Sequence, residues 1–145
     1  MTPRVTKSVL ATLAILGVLQ AQAHDNVNIV LNISNIRSTV RDGEVVARGQ
    51  ISTLLAHSGY HVWLNAEKNG DIPNRYVLIG ENNNQHKLSV IIGQNGWIPD
   101  IKGGAGIIKQ TREVQAQFDI VVNGNQTVAA DTYTISVQGG YLEPQ

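Results

Sequence analysis

The sequence contains no cysteine, and its charges balance, with eleven Lys and Arg side chains against eleven Asp and Glu. Without cysteine, disulfides and structural zinc sites built from thiolates are excluded. No run of basic residues is present to attract nucleic acid or an anionic membrane surface. No apolar run reaches the roughly 20 residues of a membrane-spanning helix. The fold must therefore be held by packing and strand pairing alone.

The start of the sequence is typical of a cleavable export signal. Arg4 and Lys7 form a basic start, Val9–Leu19 is mainly apolar, and Ala21-Gln22-Ala23 supplies the small side chains that signal peptidase reads. We expect residues 1–23 to be removed, which leaves 24–145 as one faintly acidic exported domain. The alternative is an uncleaved membrane anchor, for which the apolar run is short.

After the signal, apolar and polar residues alternate with period two, the pattern of half-buried β-strands. No amphipathic helix is evident, and Gly93–Gly106 is predicted to be a glycine-rich loop. Turns are indicated by Arg41-Asp42-Gly43, Asn69-Gly70-Asp71 and Asn123-Gly124-Asn125. The predicted strands are Val27–Ile33, Glu44–Leu55, Tyr60–Leu64, Arg75–Ile79, His86–Ile92, Val114–Val122 and Asp131–Val137. This pattern predicts an all-β sandwich.

Tyr133 stands where an immunoglobulin-like sandwich has a tyrosine at the start of strand F, whose hydroxyl bonds back to the preceding corner. A further strand should then follow, but Gly139–Gln145 is a poor candidate because of its glycines and proline. The alternative is an ordinary core tyrosine on a short last strand. A sandwich that lacks a strand has to take it from a partner. The gap would be lined by the alternating apolar residues of the first and last strands, which are Val27, Ile29, Leu31, Ile33, Tyr133, Ile135 and Val137.

Several segments resemble the Afa/Dr family of fimbrial invasins, the AfaD-like minor pilins that include the AggB and AafB subunits. The resemblance extends over nearly all of residues 24–145, in matching order, and His-Ser-Gly-Tyr-His-Val-Trp is its most specific part. The segments are Val40–Gly43 with Val46-Ala47, Ala56–Asn65, Arg75–Val77, Gly96–Pro99, Gly124–Gln126 and Tyr133–Gln145.

The resemblance implies an incomplete immunoglobulin-like sandwich that lacks strand G and is assembled by the chaperone–usher pathway. A periplasmic chaperone would fill the gap first, and an outer-membrane usher would handle assembly. The donor strand of the major fimbrial subunit would then replace the chaperone at the cell surface by β-augmentation. The resemblance also implies adhesion to, or invasion of, host cells through a surface receptor. It implies a disulfide at positions that hold Thr53 and Tyr141 here.

The alternating run Val27–Ile33 decides whether the subunit lies at the tip or in the shaft of the fimbria. It is the only such run between His24 and the first predicted turn. If it forms strand A, no donor strand remains to be given to a neighbour, and the subunit must end the polymer. The same alternation would also suit a donor strand. A minor structural pilin without receptor activity is a further alternative.

No arrangement of residues indicates catalysis, a cofactor or a metal site, so a non-enzymatic protein is predicted. His57 and His61 could begin a metal site, but solvent-facing or hydrogen-bonded histidines fit the sequence better. Signal cleavage would leave His24 at the N-terminus, where its amine and ring could bind copper if His57, His61 or His86 came near. A secreted copper-binding protein is therefore the alternative from another functional class.

The two tryptophans have different predicted environments. Trp63 lies in the middle of a strand, and we expect it between the sheets. Trp97 lies in the glycine-rich loop and could be an exposed receptor contact, because tryptophan is favoured at interface hot spots. Packing of Trp97 beneath its own loop is the alternative.

Overall fold

The computed structural model describes residues 27–145, together with the backbone of two N-terminal segments, 4–14 and 18–20. The described part of the chain contains no helix, and so none that is long and apolar enough to cross a membrane. The all-β class is confirmed. In chain order the strands are β1 (Arg4–Ala14), β2 (Val18–Gln20), β3 (Asn28–Ile33), β4 (Thr39–Val40), β5 (Val45–Ser52), β6 (Gly59–Leu64), β7 (Glu67–Lys68), β8 (Arg75–Ile79), β9 (Lys87–Gly93), β10 (Ile98–Pro99), β11 (Ile107–Gln110), β12 (Gln115–Val122), β13 (Gln126–Thr127) and β14 (Thr132–Leu142).

Two six-stranded antiparallel sheets form a sandwich. The first sheet has the order β10-β11-β6-β14-β1-β2, and the second has the order β3-β5-β12-β9-β8-β7. In immunoglobulin terms, β3, β5, β12 and β9 follow the order A-B-E-D, while β6 and β14 take the positions of C and F. The immunoglobulin-like architecture expected from the sequence is therefore present. The strand in the position of G is β1.

The core is formed by alternate residues of both sheets, as the period-two pattern predicts. Ile29 and Leu31 of β3 are fully buried, whereas the flanking Asn28 and Asn32 are exposed. Phe118 of β12 is also fully buried and lies over Gly49 of the neighbouring β5, where a Cβ atom would overlap the phenyl ring. Glycine at position 49 thus gives Phe118 its space.

The last strand is longer than the sequence pattern indicated. The prediction ended it at Val137, but β14 continues to Leu142. Gly139 lies within the strand, and a Cβ atom there would be 3.0 Å from Ile51 Cδ1 and 3.1 Å from Ile29 Cδ1. Here glycine allows the two sheets to approach closely, so it marks a packing requirement and not the end of the strand.

Other boundaries differ only slightly from the prediction. Strands β8 and β9 form an antiparallel hairpin, with a register from Arg75↔Ile91 to Ile79↔Lys87. Gly43, Gly70 and Gly124 all have positive φ, which confirms the three predicted turns. Strand β5 ends at Ser52 rather than at Leu55, because the chain beyond Thr53 leaves the sheet and crosses to β6.

A tyrosine hydroxyl connects the two sheets close to the positions of the implied disulfide. Thr53 and Tyr141 are both buried, and Tyr141 is the cross-strand neighbour of Tyr60. The Tyr60 hydroxyl donates a 2.6 Å hydrogen bond to the Val114 carbonyl, which also accepts the Thr53 amide hydrogen at 3.0 Å. Burial raises the pKa of Tyr60 to about 12. Tyr60 therefore links the first sheet to the second at this end of the sandwich.

Candidate functional site: the groove beside strand β14

Strand β14 is paired on both of its edges. On one side it pairs with β6, from Val137↔Leu64 to Leu142↔Gly59. On the other side it pairs along its entire length with β1, from Ala14↔Thr132 to Arg4↔Leu142. Both ladders are antiparallel. The position of strand G is thus filled by a segment from the N-terminal part of the same chain.

Strand β1 lies within the segment that we expect to be removed as an export signal. Removal of residues 1–23 would take away both β1 and β2. One edge of β14 would then present its amide and carbonyl groups to solvent, and apolar side chains in the gap would lose their cover. The place beside β14 is therefore where the mature domain would need completion.

Of the seven residues predicted to line the gap, six lie on β3 or β14, and Val27 directly precedes β3. Strand β3 is the edge of the second sheet, and it contacts β1 across the sandwich. Six of the seven side chains are fully buried, and Ile33 is partly buried. The fully buried residues are Val27, Ile29, Leu31, Tyr133, Ile135 and Val137.

Two further β14 residues belong to the same row and were missed by the sequence prediction. Gly139 and Tyr141 are buried and continue the inward-facing alternation beyond Val137. Their register partners in β1 are Lys7 and Val5. The alternation Val137-Gly139-Tyr141 was present in the sequence, but the neighbouring glycines suggested that the strand had ended.

The β1 register defines what an incoming strand must offer. Leu13, Ala11 and Val9 are the register partners of Tyr133, Ile135 and Val137. Directly opposed residues of an antiparallel pair lie on the same face of the sheet. A strand that fills this position therefore needs apolar residues at alternate positions, and it must run antiparallel to β14.

The tyrosine corner predicted at Tyr133 is present. The Tyr133 side chain is fully buried, and its hydroxyl donates a 2.6 Å hydrogen bond to the Ala129 carbonyl, four residues earlier. Burial raises the pKa of Tyr133, and the charge of Asp131 raises it further. The bond fixes the chain at the entrance of β14 and identifies this strand as strand F.

A carboxylate network lies beside this corner. Asp131 accepts hydrogen bonds from the Asn82 amide at 3.0 Å and the Thr132 amide at 2.6 Å, and its Oδ2 is 2.8 Å from His86 Nδ1. Burial by itself would raise the pKa of Asp131, but these bonds lower it to about 2. The network ties the 81–85 turn to the start of β14.

The structure selects the packed alternative for Trp97 and overturns the expected position of Trp63. Trp97 is buried: its indole N–H donates a 2.7 Å hydrogen bond to the Gln117 carbonyl, and its ring meets Phe118 edge-on. It packs beneath its own loop, so the prediction of an exposed receptor contact was wrong.

Trp63 alternates with the inward-facing Val62 and Leu64 and lies on the outer face of the sheet, where it bonds to Gln138. Strand parity decides the position of Trp63, whereas Trp97 lies outside the strands and is held by its contacts with Gln117 and Phe118.

The histidines serve structural hydrogen bonds. His57 Nδ1 is 2.8 Å from the Leu55 carbonyl, and its Nε2 is 2.7 Å from the Glu113 carbonyl. His61 Nε2 is 2.9 Å from the Ala105 carbonyl. Both ring nitrogens of His57 are thus directed at carbonyl oxygens of the protein. No group of His, Asp and Glu in residues 27–145 could hold a metal ion, and His24 lies outside the described residues.

The chain is similar to a known family over most of its length. Residues 36–139 match the family described as the Enterobacteria AfaD invasin protein. Protein AggB of Escherichia coli is 37% identical over 114 residues, which is 78% of each chain.

Solved structures of similar proteins share the fold. The Salmonella SafD adhesin has a TM-score of 0.78 with 33% sequence identity, covering 82% of this chain and 86% of that one. HdaB, the minor tip subunit of the E. coli Hda pilus, has a TM-score of 0.77 with 33% identity, covering 82% and 85%. The architecture around the groove is thus that of known adhesin and pilus subunits.

Proposed function

Since the chain belongs to the AfaD invasin family, we propose that the mature protein is the tip subunit of an adhesive fimbria. Its domain lacks its own strand G and is completed by a donor strand from another subunit. Its task is contact with host cells, and not catalysis.

One observation carries this proposal: the strand G position beside β14 is filled by residues 4–14, which belong to the predicted export signal. Nothing else among the described strands pairs with that edge of β14. A mature domain without β1 would expose β14 and the apolar row of β3. Donor-strand addition supplies the missing main-chain hydrogen bonds and covers that row with alternating side chains.

The partners follow from the family. A periplasmic chaperone protects the open groove after export, and an outer-membrane usher exchanges it for the donor strand of the major fimbrial subunit. The fimbria then presents the protein at the cell surface. A host-cell surface receptor is the final partner.

The tip position is supported by the pairing of β3. This strand forms a full antiparallel ladder with β5, from Asn28↔Ser52 to Ile33↔Ala47, so it serves as strand A of its own domain. Only three residues would lie between the predicted cleavage site and Val27. They are too few to form a donor strand for another subunit. HdaB, a pilus tip subunit, has the same fold.

The proposal can be tested by reconstituting the fimbria. The protein, carrying an epitope tag in the exposed 82–85 turn, would be expressed with its chaperone, usher and major subunit, and then localised by immunogold electron microscopy. We expect label at fibre ends only. The matched control is Ile135→Asp, which should abolish labelling because a charge would lie in the groove. Label along the shaft, or undiminished labelling of the Ile135→Asp fibres, would contradict the proposal.

A further inference from the structure

A rigid loop at the far edge of the first sheet exposes an apolar patch. Strand β10 ends the sheet at the edge opposite to the groove. The side chains of Ile98 and Ile101 are 63% and 73% exposed, and Pro99 between them is also exposed. Ile108, the cross-strand partner of Ile98, extends the patch inward. We call residues 98, 99, 101 and 108 the isoleucine patch.

The loop that carries this patch is held firmly from within. Trp97 anchors one side of it in the core, and the buried Asp100 accepts the Gly103 amide hydrogen at 2.9 Å. The Asp100 amide donates to the Gly106 carbonyl at 2.9 Å, and His61 bonds to the Ala105 carbonyl. The isoleucines are therefore presented in a fixed geometry. A partner would bind them with little loss of loop entropy.

Three lysines lie within the 93–106 loop that carries the patch or donate hydrogen bonds to it. Lys68 donates a 2.5 Å hydrogen bond to the Gly104 carbonyl, and Lys109 donates a 2.8 Å hydrogen bond to the Asn95 carbonyl. Lys102 is exposed next to Ile101. The carbonyl acceptors are neutral, so the lysine charges are held around the loop without being neutralised by these bonds. The one carboxylate of the loop, Asp100, is turned inward and lies 3.3 Å from His61 Nε2.

An apolar centre with a charged rim is the usual anatomy of a protein interface. Because the rim is basic, its complement is acidic. We propose that the isoleucine patch binds an acidic protein segment in which apolar side chains are interspersed with carboxylates. The apolar side chains would cover Ile98 and Ile101, while the carboxylates would face Lys68, Lys102 and Lys109. The patch and the groove lie at opposite edges of the sheet, so this inference holds independently of donor-strand completion.

The test uses the full chain, in which β1 completes the sheet. The probes are short fluorescent peptides in which Leu or Phe alternates with Asp or Glu, each paired with a counterpart that has Asn or Gln at every acidic position. Fluorescence anisotropy should show binding of acidic peptides that is at least about tenfold tighter than binding of their amide counterparts. Equal binding of the two peptide sets would overturn the proposal.

Variants locate the binding on the loop. Ile98→Ser with Ile101→Ser, and separately Lys102→Glu, should each weaken peptide binding by about tenfold or more. Both isoleucines are exposed, so circular dichroism and thermal unfolding should stay as in the parent. The matched controls are Leu54→Ser, at an apolar side chain 92% exposed elsewhere on the surface, and Lys87→Glu, at an exposed lysine on β9. Binding that is insensitive to the loop variants, or is weakened equally by the controls, would refute the assignment.

Two other occupants are distinguished by parallel measurements. If sedimentation shows self-association that is lost in the Ile98→Ser, Ile101→Ser variant, the patch binds a second copy of this chain and the proposal is wrong. If vesicles rich in phosphatidylserine bind the patch and the acidic peptides do not, the surface recognises lipid and the proposal is equally wrong. Peptide binding without either effect supports it.

Discussion

The Tyr133 hydroxyl lies 2.6 Å from the Ala129 carbonyl oxygen and closes the corner that leads into β14. This contact identifies β14 as strand F, and strand G should therefore lie beside it. That position is occupied by β1, a segment we expect the mature protein to lose.

Tyr133→Phe should destabilise the donor-complemented subunit by about 1 kcal/mol, because the substitution removes one buried hydrogen bond and leaves the packing unchanged. Denaturant unfolding measures the loss. Tyr141→Phe is the matched control on the same strand, since its hydroxyl has no hydrogen-bond partner within residues 27–145. Equal effects at the two positions would show that the corner contributes nothing specific.

Ile135→Ala should cost the complemented subunit about 2–5 kcal/mol and speed the loss of a bound donor strand, because a fully buried side chain of the groove is shortened. The neighbouring Thr134 alternates to the outer face and is only partly buried, so Thr134→Ala should change stability by less than about 0.5 kcal/mol. Donor-peptide dissociation followed by fluorescence measures the lifetime of the bound donor strand in both variants. A donor lifetime that responds equally to the two substitutions would contradict the assigned groove face.

Asp131→Asn should flatten the acid dependence of stability. The pKa of Asp131 is lowered from 3.8 to about 2 in the folded protein, so the ionised carboxylate stabilises the fold above about pH 4 and loses that effect as the pH falls towards 2. Urea midpoints from pH 6 to pH 2 should show the variant less stable than the parent at pH 6, with the difference shrinking at the acid end. Asp71→Asn, at an exposed turn residue, should follow the parent throughout. A difference between Asp131→Asn and the parent that is constant over this range would exclude the network as its source.

Trp97→Ala should destabilise the domain by about 3–5 kcal/mol, since the ring is buried against Phe118. The adjacent Ile98 is exposed, and Ile98→Ala should change stability by less than about 0.5 kcal/mol. Thermal unfolding of the two variants checks this contrast. An unchanged melting temperature for Trp97→Ala would contradict the buried position of its ring.

Local patterns were sufficient to predict most of the fold. Alternation along β3, β6 and β12 gave strand positions and faces, and the Asp-Gly and Asn-Gly pairs gave the turns. The same alternation also places Trp63 on the outer face of its sheet, although a tryptophan in the middle of a strand is expected between the sheets. The continuation of β14 could not be predicted because the role of Gly139 depends on Ile29 and Ile51, which are distant in sequence.

The buried rows of β3 and β14 could be predicted because their alternation is local, whereas the isoleucine patch could not. Ile98 and Ile101 are exposed only because Trp97 and Asp100 turn inward, and those two side chains are held by Gln117 and by the loop's own amides. Such long-range contacts leave no periodic signal in a loop sequence.

The missing strand itself is tested most directly by moving it. Residues 24–145 would be produced alone, and also with residues 5–13 of β1 joined after Gln145 through a short Asn-Gly turn. The turn suits the geometry because the beginning of β1 lies opposite Leu142, at the end of β14. A control fusion carries Val9→Asp, Ala11→Asp and Leu13→Asp.

Sedimentation and denaturant unfolding of these three proteins test whether the mature domain lacks a strand. We predict that residues 24–145 alone aggregate or fail to fold, that the fusion is a monomer with one cooperative transition, and that the aspartate control behaves like the domain alone. A stable, cooperatively unfolding monomer of residues 24–145 without any added strand would contradict it.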